Sequence, residues 1–342
     1  MNFASDNTTG ASPEVMDAMV RANAGQTMPY GDDAYTKQVR ERICETFETD
    51  ADVYLVATGT AANALSLSVL IQSYGAALCH WDSHVYEDEC GAPEFFSGGK
   101  LIPIEGADAK IDPVTLAHHA KRGVGDVHMV QPQAVTITQE TEIGSVYSLS
   151  EIEAINDVCK SNNLKLHMDG ARFANALVSL NCSAADMTWK AGVDVLSFGA
   201  SKNGAMASEA VILFDKSLAQ EFEFRRKRAG HLFSKMRLLA SQMEAYLEED
   251  LWLKNARHAN TMAKRLGDGL LAIDGIELNP RIDANMLFPK FPADLTKALH
   301  DQGFQFYADR WDAGIVRLVT AFNTPEDHVD AFIGATRKFM AS

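Results

Sequence analysis

The chain has 342 residues, 46% of them hydrophobic and 23% charged, with a formal net charge of −15. That length accommodates a large core and two domains, and the excess of carboxylates repels phosphate backbones, which argues against nucleic acid as a partner. Five scattered cysteines (Cys44, Cys79, Cys90, Cys159, Cys182) with no CxxC pair argue against a disulfide framework or zinc site and for a reducing compartment.

The N-terminus, MNFASDNTTG, lacks the basic and apolar regions of a signal peptide, and no apolar run approaches a membrane span. A soluble, cytoplasmic protein is the expectation. SPEVMDAMVRANA places Ser12 as a cap and Pro13 at the first position of a helix, and TKQVRERICETFE reads as a second, amphipathic one. Short apolar strands are predicted at VYLVAT, AALCH, KLIPI, VHMVQ, LKLHMD, DVLSFG and AVILF. Helical stretches such as AANALSLSVLIQSY, SLSEIEAINDVCKSN and AADMTWKAG separate several of them. Strand and helix in alternation, with the strands apolar throughout, predict an α/β sheet buried on both faces.

After residue 215 a long helical region leads into GIELNP, NMLFPKF, ADLTKALHDQG, FQFYA, GIVRLVTAF and a final helix at PEDHVDAFIGATRKFM. This pattern predicts a smaller α+β domain at 251–342, joined to a large domain at 1–250. The basic run FRRKR at 224–228 reads as a local anion site or a solvated helix face.

Ligands of a doubly wound sheet bind beyond the carboxyl ends of its strands. VATGTAANAL puts Thr58, Gly59 and Thr60 between a strand and a helix start, where backbone N–H groups and the helix dipole suit a phosphate. Read alone, it fits an ordinary capped loop better, since it lacks the Walker or dinucleotide glycine pattern. His80 and His84 stand at i, i+4 and read as a metal pair, as an imidazole stacked on a planar ligand, or as buried hydrogen-bonded histidines. Asp169 ends the strand of LKLHMDGARFANAL, where it caps the following helix, joins His167 at a metal, or meets a cation. Lys202 follows another apolar strand amid Gly199, Ala200, Ser201, Asn203 and Gly204, small neighbours that leave room around a candidate Schiff-base nucleophile. Taken together, the strand-end aspartate, the lysine, the phosphate-type turn and the stacking histidine match pyridoxal 5'-phosphate (PLP). The lysine would hold it, and the aspartate would face the protonated pyridine nitrogen.

The ordered set SDN, YGDD, TGTAAN, HVYEDECG, HMDGARFANAL, SFGASKNG, KRAG…MR and RLVTAF resembles the threonine aldolase family of fold-type I PLP enzymes, most of all its low-specificity L-threonine aldolases. The resemblance implies a three-layer PLP-dependent-transferase-like large domain with a smaller α+β domain. It implies a carbon–carbon lyase that cleaves L-threonine, L-allo-threonine or β-phenylserine-type amino acids to glycine and an aldehyde. Lys202 would hold PLP, Asp169 would face the pyridine nitrogen, and His84 would stack on the ring and move protons. Gly59 and Thr60 would bind the phosphate, and Arg317, Arg172 and Ser5 the substrate carboxylate. In a homodimer or homotetramer with shared sites, Tyr30 and a cation, Arg228 or Arg237, would reach in from a neighbouring subunit. Where many family members carry a histidine in an ENTH segment, this chain has Glu140, Thr141 and Glu142. KRAGHLFSKMR is also longer than the common form. Other expectations for the same residues are transamination, β-elimination or racemisation on this fold, a metal-dependent lyase using His80, His84 or His167, and a scaffold without catalysis.

Overall fold

A computed structural model of the chain describes residues 1–278, 281–308 and 310–341. In chain order the first part holds α1 (Pro13–Ala22), α2 (Ala34–Thr46), β1 (Asp52–Val56), α3 (Gly59–Leu70), β2 (Gly75–His80), α4 (His84–Glu87), α5 (Ala92–Ser97), β3 (Lys100–Ile104), α6 (Pro113–His119) and β4 (Gln131–Thr138). It continues with α7 (Leu149–Ser161), β5 (Lys165–Gly170), α8 (Phe173–Leu180), β6 (Val195–Phe198), β7 (Glu209–Leu213), α9 (Ala219–Arg228), α10 (Arg237–Leu247) and α11 (Leu251–Leu271). The remainder is β8 (Met286–Leu287), α12 (Ala293–Asp301), β9 (Leu318–Val319) and α13 (Glu326–Met340).

The central sheet has the order β1-β7-β6-β5-β4-β2-β3. β7 pairs antiparallel with both β1 and β6, while the other pairs are parallel. β7 alone therefore runs against the rest, so its first residue lies at the edge where the other strands end. Alternate side chains enter opposite cores, as the strand period requires. Val53 and Leu55 join the core that also holds Ile152 and Phe173, whereas Tyr54 and Val56 pack with Leu65 and Leu67 of α3.

The expected strand at VHMVQ is corrected by the structure. The strand is Gln131–Thr138, and Val127 is exposed in a turn. Gln131 Nε2 closes that turn by donating to the carbonyls of Gly123, Asp126 and Met129. AADMTWKAG likewise forms turns and a 3-10 segment at Trp189–Ala191 rather than an α-helix, ending at Gly192 with φ +100°. Ser12 stands at the N-cap of α1, but its hydroxyl donates to the Gly204 carbonyl at 2.9 Å instead of accepting from the helix.

A second core gathers Met262 and Leu266 of α11, Leu295, Leu318 and Phe332, and it includes Phe3 from the N-terminus. Phe3 N–H donates to Gln305 O, and Val319 N–H donates to Phe3 O. The first residues are thus stitched to the C-terminal part, which brings Ser5, Asp6 and Asn7 to the sheet edge. α11 serves both cores, giving Trp252 and Ala256 to the larger one. The end of GIELNP, 279–280, lies outside the described residues.

Candidate active site

At the strand ends lies a cavity of about 410 Å³, walled by Asn7, Thr58, Gly59, Thr60, His84, Asp169, Lys202 and Glu209 among others. β1 and α3 meet at Thr58, whose hydroxyl accepts from Ala61 N–H and starts the helix. Gly59 and Thr60 form the open first turn, where helix N–H groups have no intrahelical partner.

Asp169 is buried near the end of β5. Its Oδ1 accepts from Ala171 N–H at 3.0 Å and its Oδ2 from Asn63 Nδ2 at 2.9 Å. His84, on α4, has Nδ1 2.9 Å from Glu89 Oε1. That bond raises the imidazole pKa, against burial, with Asp169 and Glu142 adding to the rise.

Lys202 sits on a short 3-10 turn, Ser201–Asn203, that follows β6. Ala200 N–H donates to Glu209 Oε2 at 2.7 Å, Asn203 Nδ2 to Tyr246 Oη at 2.8 Å, and Asn255 Nδ2 to the Asn203 carbonyl at 2.8 Å. Gly204 closes the turn at φ +115°, where a Cβ would stand 2.7 Å from both Asn255 Nδ2 and Ser12 Oγ. Burial pushes the Glu209 carboxyl up to about 7, against Ser201 and Ala200, which donate to it.

Asp6 and Arg172 form a buried two-pronged pair. Burial alone would raise the Asp6 carboxyl, but Arg172 and then Lys202 hold it below its ordinary value. Beside them Arg317 donates to the Ala4 carbonyl at 3.2 Å and keeps a buried Nε with no partner. Burial and the Arg172 charge lower its pKa, so a guanidinium close to another guanidinium carries an unspent donor. Ser5 is adjacent, with Oγ accepting from Asn7 N–H.

The structure thus brings Gly59, Thr60, His84, Asp169 and Lys202 to one cavity, and places Ser5, Arg172 and Arg317 together. It leaves Tyr30, Arg228 and Arg237 off that cavity within the chain. Tyr30 is exposed beneath Lys227 Nζ at 4.9 Å, Arg228 shares a surface groove with Phe95 and Phe224, and Arg237 donates to the carbonyls of Ala24 and Gly25.

In the 140–142 segment, Glu140 is buried without a side-chain hydrogen-bond partner, and burial pushes it up to about 8 against the Arg172 charge and the Asn285 backbone N–H. Thr141 Oγ1 is taken by Ser145. The charge of Glu142 reaches His84, Arg172 and Arg317. His80 spends both ring nitrogens on Gly106 O and Asp82 N–H. His167 bridges Thr136 and Ser197 and is lowered to about 4 by burial. Among the described residues no cluster of three His, Cys, Asp or Glu side chains could hold a metal. Sequence reasoning missed Asp6, Asn63, Glu89 and Glu209. Asn63 had a signal, since it lies one helical turn beyond Gly59.

The family model of beta-eliminating lyases matches residues 2–291. The chain is 42% identical over 341 residues to a low specificity L-threonine aldolase of a Pseudomonas species, covering 99% of this chain and 98% of the relative. A threonine aldolase structure from Leishmania major superposes with a TM-score of 0.93 at 30% identity, covering 99% of each chain. A structure of SPT with PLP shares the fold, with a TM-score of 0.72 at 15% identity over 99% of this chain and 86% of that one.

Proposed function

The chain belongs to the beta-eliminating lyase family, and within it to the threonine aldolases, and we propose that it cleaves L-threonine, L-allo-threonine or a β-phenylserine-type amino acid to glycine and an aldehyde. The enzyme is a PLP-dependent carbon–carbon lyase on the α/β fold of fold-type I enzymes.

The residues present fit that cofactor. An open helix turn at Gly59 and Thr60 suits its phosphate, buried Asp169 its pyridine nitrogen, and the Lys202 amine its aldehyde, all on a cavity of about 410 Å³. When bound, PLP supplies an electron sink for the bond that breaks. Arg317 spends its free Nε–H on the substrate carboxylate, with Arg172, oriented by Asp6, and Ser5 beside it. Gripping that carboxylate sets the orientation of the Cα–Cβ bond.

The observation that carries the reading of His84 is its bond to Glu89. With Glu89 ionised, Nδ1–H donates to it and Nε2 is left as the acceptor for the β-hydroxyl proton, directly or through a water. Glu142 supports the charge that His84 then gains.

The oligomer is a homodimer or homotetramer of a cytoplasmic protein, in which Tyr30 and either Arg228 or Arg237 complete a neighbour's site. The exposure of Tyr30 supports this. The division into a large domain, 1–250, and a small one, 251–342, is supported by a second core drawn mainly from 262–333, to which Phe3 also contributes. A visible spectrum before and after L-threonine, with Lys202→Ala alongside, tests the function. A cofactor band that shifts with substrate while aldehyde and glycine appear is expected, with turnover lost in the variant. A band without aldehyde release would move the assignment to another PLP reaction.

A further inference from the structure

One nitrogen holds two carboxylates in this site. Asn63 Nδ2 lies 2.8 Å from Glu89 Oε1 and 2.9 Å from Asp169 Oδ2, and Glu89 Oε1 is also the partner of His84 Nδ1 at 2.9 Å. Asn63, Glu89 and Asp169 are all buried. His84 and Asp169 line the cavity, and two side chains that do not line it, Glu89 and Asn63, join them. What the amide faces sets its orientation. Turned over, Asn63 Oδ1 would confront both carboxylates; as placed, Oδ1 has no partner, a cost that two bonds to charged acceptors outweigh.

We propose that Asn63 is a positioning residue that binds His84, Glu89 and Asp169 into one electrostatic unit, its amide keeping Glu89 ionised beside Asp169 so that His84 Nδ1 faces a carboxylate rather than a carboxylic acid. Two buried carboxylates at this spacing repel. Burial and the Asp169 charge push the Glu89 carboxyl upward, while His84 and Asn63 oppose them. The remaining charges facing His84 are Glu142, from the loop after β4, which supports its proton, and Lys202, from the turn after β6, which opposes it. Without the amide, Glu89 takes up a proton, and its acid form no longer holds one on His84. α3 explains why one residue serves both ends of the site. Gly59 and Asn63 are separated by one helical turn, about 6 Å along the axis, so the helix whose first turn faces the phosphate puts its next turn behind Asp169.

The consequence for the cofactor rests on the function proposed above, but the network does not. The test is therefore the titration of His84 by NMR in the full chain, without and with PLP, in wild type, Asn63→Leu and Asn63→Asp. Asn63→Leu keeps the volume and loses both donors. Its His84 midpoint is expected to fall by about half a pH unit or more, and its PLP dissociation constant to rise about tenfold at every pH. Asn63→Asp is expected to bind PLP weakly near pH 8 and to recover part of its affinity on acidification toward about pH 5.5, as the introduced carboxyl gains one proton, which it can donate to one of the two carboxylates. A structural defect would not recover in acid. An unmoved His84 midpoint in Asn63→Leu, or no acid recovery in Asn63→Asp, overturns the proposal; if the leucine variant does not fold, the acid recovery decides alone. A wild type that takes up no PLP would overturn the cofactor reading and leave the His84 titration standing as the test of the network.

Discussion

Arg172 and Asp6 lie 166 residues apart and meet in a buried pair, with Nε 2.7 Å from Oδ2 and Nη2 3.0 Å from Oδ1. The N-terminal segment carries Asp6 to the sheet edge, and the two-residue link between β5 and α8 carries Arg172 there. Removing one partner strands the other charge in the interior. Asp6→Ala is expected to lower stability by about 3–5 kcal/mol and to raise KM for the amino acid more than it lowers kcat. Urea unfolding and steady-state kinetics check both. A variant with native stability would mean that the pair contributes nothing to the fold.

Glu89 holds the His84 pKa above its ordinary value, chiefly through their hydrogen bond. If neutral His84 is the base, activity rises with pH as that proton leaves. Glu89→Gln removes the charge, so the acid limb of the kcat/KM profile is expected to move to lower pH. His84→Ala is expected to cost about 10²–10⁴-fold in kcat while PLP stays bound. An acid limb that stays in place in Glu89→Gln would assign the base to another group.

Glu140 changes stability with pH in a calculable direction. Its folded pKa is pushed up to about 8 from an ordinary value of 4.5. Between those values the unfolded chain has lost a proton that the folded chain keeps, so stability falls as pH rises and levels off above about 8. Glutamine has no such proton to lose. Glu140→Gln is therefore expected to match wild type near pH 4 and to exceed it by on the order of 4 kcal/mol near pH 8. Unfolding midpoints at both pH values measure this; a pH-independent difference would show that Glu140 is ionised in the fold.

Gly204 sits at φ +115° with Ser12 and Asn255 close on either side. Gly204→Ala adds backbone strain of about 1–3 kcal/mol and displaces the bonds that hold the Lys202 turn. The expected result is a lower thermal midpoint and incomplete PLP incorporation, read as absorbance per chain. Full incorporation at wild-type stability would show that the turn tolerates a side chain.

The alternation of strand and helix was legible because it is local. A strand buried on both faces is a continuous apolar run, and a cap or a proline at a helix start acts on residues three or four away. β4 was misplaced because a polar side chain, Gln131, ties down the turn before it, and apolar content alone did not reveal that. Lys202, Asp169, His84 and Gly59 stood out in the sequence because each lies at or just beyond the end of a strand, where an α/β sheet presents its ligand site.

By itself, then, the sequence determined the α/β class and the residues at the strand ends, which follow from local pattern, while the family followed from the resemblance of an ordered set of motifs along the chain. The tertiary structure decided what those residues touch. Asn63 meets Asp169 across 106 residues, and Glu209 supports the Lys202 turn because β7 alone runs backwards. Such contacts depend on strand order and direction, which bring together side chains that no short-range periodicity relates.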